Sequence, residues 1–325
     1  MTPLRRTGLA LACVLALLLA LDSAAWFWAT RRMLAMTAEW EAARAADGVS
    51  VQSQPAVATG WPFAAEVLLP NVAVATDGGL LAWQAETVLL RLSPFHPQAL
   101  AVVVGGKQSL RAGGLLVGVT ANALQAAVPL DGSGSATGEG RSVVAATGAA
   151  TLGIGLLAVR FDQGGLGLAA SRLAISGIDL PFGGAIERFA AHLHLTAAIP
   201  PLRDPARAAA AWSAGGGAVV VDGATLRWGT MDAEGHGTAG LDPALQPVAA
   251  ATLRLAGYAE AIEALARAGT ISRNAGRVAG TVLGLMAATP AEGGPATVEA
   301  PFSLRDGRLS MGAIPLARVP ALVWP

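Results

Sequence analysis

The sequence predicts a mainly β protein: a long curled antiparallel meander hung from one N-terminal transmembrane helix, with a few helices placed late. Three observations predict it. One apolar run opens the chain, Gly8 to Ala29, and nothing comparable follows. Asp-Gly pairs then recur between alternating apolar residues, the strongest short-range hairpin cue a sequence offers. Helical periodicity after the anchor and its juxtamembrane extension is confined to short stretches in the second half.

The anchor comes first. A spanning helix needs about 20 apolar residues at 1.5 Å rise, which this run supplies. Leu9, Leu11, Val14, Leu15, Leu17, Leu18 and Leu19 carry its apolar character, and Trp26, Phe27 and Trp28 fall where an aromatic belt meets headgroups. Asp22 lies near the outer end, where a charge costs less than at the bilayer centre. The competing reading is a signal peptide cut near Ser23-Ala24-Ala25, but apolar character continues through Trp28 into Arg31 and Arg32. The expected organisation is an anchor over residues 1–30, a juxtamembrane helix over 31–48 stopping at Asp47-Gly48, and a β-rich body over 49–325. The turns near Pro200-Pro201 are the candidate boundary between halves 49–200 and 201–325. Large domains translocate largely regardless of charge, so the expected location is the inner membrane, single pass, with the body in the periplasm.

Composition bounds the function. The chain is 53% hydrophobic and 14% charged, against about 25% charged in an average domain. Its formal net charge is zero, so no basic face advertises nucleic acid. The single cysteine, Cys13, sits inside the apolar run as a small packing residue and leaves no intrachain disulfide.

In the body, three Asp-Gly pairs read as hairpins. Val72 and Val74 lead into Asp77-Gly78, with Leu81 and Trp83 returning on the same face. Val219 and Val221 lead into Asp222-Gly223, with Ala224, Leu226 and Trp228 following. Phe302 and Leu304 lead into Asp306-Gly307, answered by Leu309 and Met311. Further strands are expected at 65–69, 87–92, 99–104, 115–120, 152–161 and 166–178, whereas Asp131 to Gly140 reads as a surface loop. Asp204-Pro205 opens a short helix through Trp212. Helices at 258–268 and 272–288 follow, the second with Ile271 and a Val278, Val282, Leu285 stripe as its buried side.

Candidates for chemistry are few. His192 and His194 have strand spacing that aims both at one side, as metal ligands need. Leu193 and Leu195 alternate with them, so the pair reads more simply as the outer side of an amphipathic strand. His96 and His236 read as turn residues. The sequence has no nucleophile elbow, helical metalloprotease motif or paired carboxylates, and the 131–140 loop lacks the strand, helix and lysine of a phosphate cradle.

Several phrases together carry a resemblance. They are Gly60-Trp61-Pro62-Phe63, Ser93-Pro94-Phe95-His96-Pro97, Trp212 with Gly215-Gly216-Gly217, Leu226-Arg227-Trp228-Gly229 and Gly240-Leu241-Asp242. The last runs from Phe302-Ser303-Leu304 to Ile314-Pro315-Leu316. The chain resembles the uncharacterised alphaproteobacterial family DUF2125. That resemblance implies a membrane-anchored periplasmic protein, similar in layout to AsmA-like envelope proteins whose curled sheets form an apolar groove for lipids. It assigns no functional residue.

The resulting expectation is a non-enzymatic envelope protein with no cofactor, whose partners are membrane lipids. Trp83, Val102, Val104, Leu226 and Trp228 are the candidate groove lining. The alternative is a scaffold that joins envelope protein partners without a lipid, and a hydrolase without a visible motif comes third.

Overall fold

The computed structural model describes residues 3–79, 81–112, 114–162, 165–177, 183–200, 204–267, 273–288, 295–312, 314–322 and 324. It opens on one continuous helix, α1 (Pro3–Ala46), so anchor and juxtamembrane segment are a single rod. Alanine, leucine and methionine dominate it, and neither proline nor glycine interrupts residues 9–46. The rod stops at Asp47-Gly48, where Gly48 takes φ 78°. This is one helix long and apolar enough to cross a membrane. The side chains of Leu9 and Leu11 lie outside the described ones, and Cys13 is exposed on the helix.

The body is antiparallel sheet. Its strands are β1 (Val49–Gln52), β2 (Val57–Thr59), β3 (Ala65–Thr76), β4 (Leu81–Leu92), β5 (Ala99–Ala112), β6 (Leu115–Thr120), β7 (Ala123–Pro129), β8 (Ala136–Ala146) and β9 (Thr151–Asp162). They continue as β10 (Gly165–Ser176), β11 (Ala185–Leu195), β12 (Val219–Trp228), β13 (Met231–Leu241), β14 (Pro247–Ala256), β15 (Thr297–Arg305), β16 (Arg308–Met311) and β17 (Ile314–Arg318). Each strand from β8 to β17 pairs with the next. Beside β3, the short strands β1 and β2 share one position in the sheet. Likewise β6 and β7 together fill the position between β5 and β8.

Helices cover little of this. Asp204 caps α2 (Pro205–Ala214) by accepting from the Arg207 amide at 3.0 Å. α3 (Tyr258–Arg267) and α4 (Arg273–Met286) lie between β14 and β15. Two cores result. Met33 of α1 joins Val67, Leu69, Val72, Ala85 and Val88. Leu283 of α4 joins Val298 and Ala300, with Tyr258, Ile262 and Phe302 around them. Among the described residues only Val67 and Val298 are large side chains with essentially no exposure. The accessible surface is 19643 Å², against about 12,000 Å² for a compact globule of this mass. A protruding α1 accounts for part of that excess and a sparsely covered sheet for the rest.

Several expected elements differ from those observed. The third hairpin forms as read: Arg305 faces Arg308 across Asp306 (φ 51°) and Gly307 (φ 67°), the geometry of a primed two-residue turn. The first turn is longer than two residues, because Val74 pairs with Trp83, yet a shift of two keeps every side chain on its face. The second is no turn at all. Asp222 and Gly223 lie inside β12, where together they oppose one residue of β13, so the pair forms a β-bulge. Residues 136–140 are strand, not loop. Gly140 lets β8 pass close to β9, where an added Cβ would lie 3.3 Å from Leu157 Cβ, as well as 2.8 Å from Val143 Cγ2 on β8 itself. The buried side of α4 is carried by Leu283, while Val278, Val282 and Leu285 are exposed; Ile271 lies outside the described residues.

A continuous apolar face and what lies around it

Directly paired residues of an antiparallel ladder share a face, so pairs can be followed across the whole sheet. One row runs Val67, Leu90, Val102, Ala126, Gly138, Val159, Leu168, Ala191, Ala224, Gly235, Leu253, Ala300. Another runs Ala136, Phe161, Leu166, Leu193, Val221, Gly237, Ala251, Phe302, Met311. Neither contains a polar side chain. The opposite face reads differently: Glu139, Ala158, Ala169, Ala190, Thr225, Glu234, Arg254, Glu299. The sheet is therefore apolar on one face from β3 to β16, while the other carries charged residues from β8 to β15, although Leu68, Leu89 and Val103 pair across it at β3 to β5.

Burial follows the same division. Along β13 the apolar-face residues are half-buried and the alternating ones exposed, and β9 repeats this from Leu156 to Arg160. No helix packs on β9 to β11 among the described residues, so neighbours within the same face provide this shelter. Kinks preserve the pattern. Ser142 (φ 50°) and Arg172 (φ 54°) interrupt the alternation of β8 and β10 at one level, and Asn71 (φ 49°) does so on β3. Each break is matched by a skipped residue on the partner strand. Val72 accordingly returns to the same core as Val67, and the strands bend without exchanging faces.

The five residues expected to line a groove all fall on this face. Trp83, Val102 and Val104 pack against the core beneath α1, whereas Leu226 and Trp228 sit on β12. Sequence reasoning missed most of the face: Leu157, Leu166, Leu168, Leu253 and Leu255 are equally part of it. The signal was present as alternation in β9, β10 and β14, hidden by alanine and glycine on the other side. Two buried polar residues, Thr76 and Gln108, interrupt the apolar side. Gln108 is 7% exposed; its Oε1 accepts from Trp83 Nε1 at 3.3 Å, and its Nε2 has no partner among the described residues.

The polar face holds shallow clefts. One of about 400 Å³ is lined by Arg188, Thr225, Arg227, Asp232, Glu234 and Arg254. Two of its arginines are paired: Arg227 with Asp232 at 2.7 Å and Arg254 with Glu234 at 3.3 Å. Asp232 pulls the Arg227 guanidinium above its ordinary pKa. His192 and His194 also lie here. Both Nδ1 atoms reach Asp222 Oδ2 at 3.0 Å, and these hydrogen bonds, His194 first, hold the Asp222 carboxyl below its ordinary pKa. The β12 bulge is what turns Asp222 toward both rings. Among the described residues, no group of three or more His, Cys, Asp or Glu side chains is arranged to hold a metal ion.

A family model, described as an uncharacterised protein conserved in bacteria (DUF2125), matches residues 26–320. The chain belongs to the DUF2125 family. No curated protein and no solved structure matches it.

Proposed function

We propose that this DUF2125 protein binds membrane lipid on the apolar face of its sheet and handles lipid in the envelope, without catalysing a reaction. The body stands in this reading on the exported side of the inner membrane. One observation carries it: apolar rows run from β3 to β16, and among the described residues no helix packs on β9 to β11 between the α1 end and the strands that α2, α3 and α4 touch. An apolar surface of this length in water is a binding site or a liability. An acyl chain laid along it would gain about 0.8 kcal/mol per buried methylene. A continuous row without charge suits a chain that slides better than one held at a single pocket.

Photo-crosslinking in cells tests this in the full chain. A benzophenone amino acid at Leu168 or Leu253, both on the apolar face, should yield lipid adducts. The same probe at Ala169 or Arg254, on the polar face, should not. Absence of adducts at Leu168 and Leu253, or equal yields on both faces, refutes lipid binding. The second reading, a scaffold for envelope protein partners, has one observation in its favour: α4 turns Val278, Val282 and Leu285 outward. A probe at Leu285 that captures protein, with no lipid at Leu168, would establish the scaffold instead.

A further inference from the structure

The end of the sheet beside α1 carries an aromatic collar around residues 22–29 of the helix. α1 and β3 run side by side in the same direction. At the lower end, Trp26 Nε1 donates to the Thr59 carbonyl at 3.1 Å; at the upper end, the Asp77 amide donates to the Gly48 carbonyl at 2.8 Å. Residues 26–48 of a helix span about 33 Å, and residues 65–76 of a strand nearly 40 Å, so the two are matched in length. The membrane-crossing part of α1 continues straight below this. The loops at 60–64 and 93–98 therefore face the bilayer from which the helix emerges.

Those loops have the chemistry of a membrane interface. Phe63 is 81% exposed and Phe95 is 84% exposed. Trp61 Nε1 donates to Ser23 Oγ at 3.2 Å, which fixes the first loop against the helix. Pro62, Pro94 and Pro97 close a recess against Trp26 and Trp28. Nothing in the chain requires two phenylalanines held out in water by proline-rich turns, whereas aromatic rings at headgroup level are the usual membrane belt.

We infer that loops 60–64 and 93–98 dock in the headgroup region of the leaflet that α1 leaves. The lower ends of the apolar rows, Ala65, Leu92 and Leu100, then rest directly on the bilayer. If the lipid-binding reading holds, which this second step rests on, lipid reaches the face laterally from that leaflet and not through water.

The test uses the full chain in a Cys13→Ser background, in vesicles of phosphatidylethanolamine and phosphatidylglycerol. Phe63→Cys, Phe95→Cys and Asp77→Cys each carry a nitroxide, and relaxation by oxygen is compared with relaxation by a water-soluble nickel chelate. Docking predicts oxygen-dominated relaxation at 63 and 95 and nickel-dominated relaxation at 77. Labels at 63 and 95 as wet as at 77 would overturn it. Both phenylalanines are so exposed that Phe63→Ser with Phe95→Ser leaves the fold intact. That double variant should lose lipid adducts from a probe at Leu168, and undiminished adducts would overturn lateral delivery. A parent chain without adducts would refute lipid binding alone, because the nitroxide result stands without it.

Discussion

The two ends of the apolar face and its middle have the same pattern and different fates. At β3 to β5, α1 lies over the face; Met33 completes a core, and Val67 loses all contact with solvent. At β9 to β12 the rows are as apolar, yet among the described residues only Ala170 and Ala191 there are buried. The covered end shows what such a face does when the chain supplies a partner. The middle shows a face for which the described residues supply none. Apolar residues retained at every inward position of uncovered strands do not serve a folded core, because an antiparallel sheet with one wet face tolerates polar residues there. On the proposed lipid-binding reading, the occupant of the middle comes from outside the chain.

The sharpest way to break this comparison places the same charge in both regions. Val67→Asp puts a carboxyl where no water reaches, costing about 4 kcal/mol or more and preventing accumulation of folded protein. Leu168→Asp, on a half-open strand, should cost about 1–2 kcal/mol and leave a cooperative melt in detergent. Equal effects would mean that the middle is as buried as the end.

The far end offers a milder version. Leu283 packs on Val298 and Ala300, so Leu283→Ala should cost about 2–4 kcal/mol. Leu285, two positions on, is 84% exposed, and Leu285→Ala should fall within about 0.5 kcal/mol of the parent. Comparable losses in both would move the buried side of α4 back to its valine stripe.

These residues also show what the sequence made legible. The alternation around Asp306-Gly307 was decisive because turn chemistry and pattern agreed at every position. Around Asp222-Gly223 they also agreed, yet the strand runs through with a bulge, because β11 and β13 pair with it on both sides, and such partners are remote in sequence. β8 was hidden because Gly138 and Gly140 look like loop residues, although both are strand residues and Gly140 makes room for Leu157 of β9. The valine stripe of α4 misled because helical periodicity marks a face without saying which face finds a partner. A five-residue groove lining was legible from tryptophans and valines. Its extension across the sheet required the register.

Hydrogen exchange probes the comparison without a mutation. Cooperative units that bury more apolar surface open less often. Amides of β3 to β5 and β14 to β15 should exchange last, and those of β9 to β12 earlier, in detergent-solubilised protein. Adding phospholipid should slow the middle strands selectively. Uniform protection, unchanged by lipid, would remove the distinction between covered and uncovered strands.

The smallest expected effect lies on the polar face. Hydrogen bonds from His194 and then His192 hold the Asp222 carboxyl below the ordinary aspartate value of 3.8. A folded pKa depressed in this way gives a stability contribution that is fully present above the unfolded value and disappears as pH falls through the folded one. Asp222→Asn should therefore lower the melting temperature slightly near neutral pH, with the difference closing as the solution is taken below 3.8. The carboxyl is well exposed, so solvent screens the pair and the shift stays far below that of Leu283→Ala. Replacing the donors by His192→Gln and His194→Gln should reproduce the same small, pH-dependent loss. A large loss in either variant, or one that persists in acid, would show that the bulge in β12 depends on this cluster for more than its surface hydrogen bonds. The polar face would then share in fixing the strand's bend, a role otherwise left to the αL kinks and the apolar packing opposite.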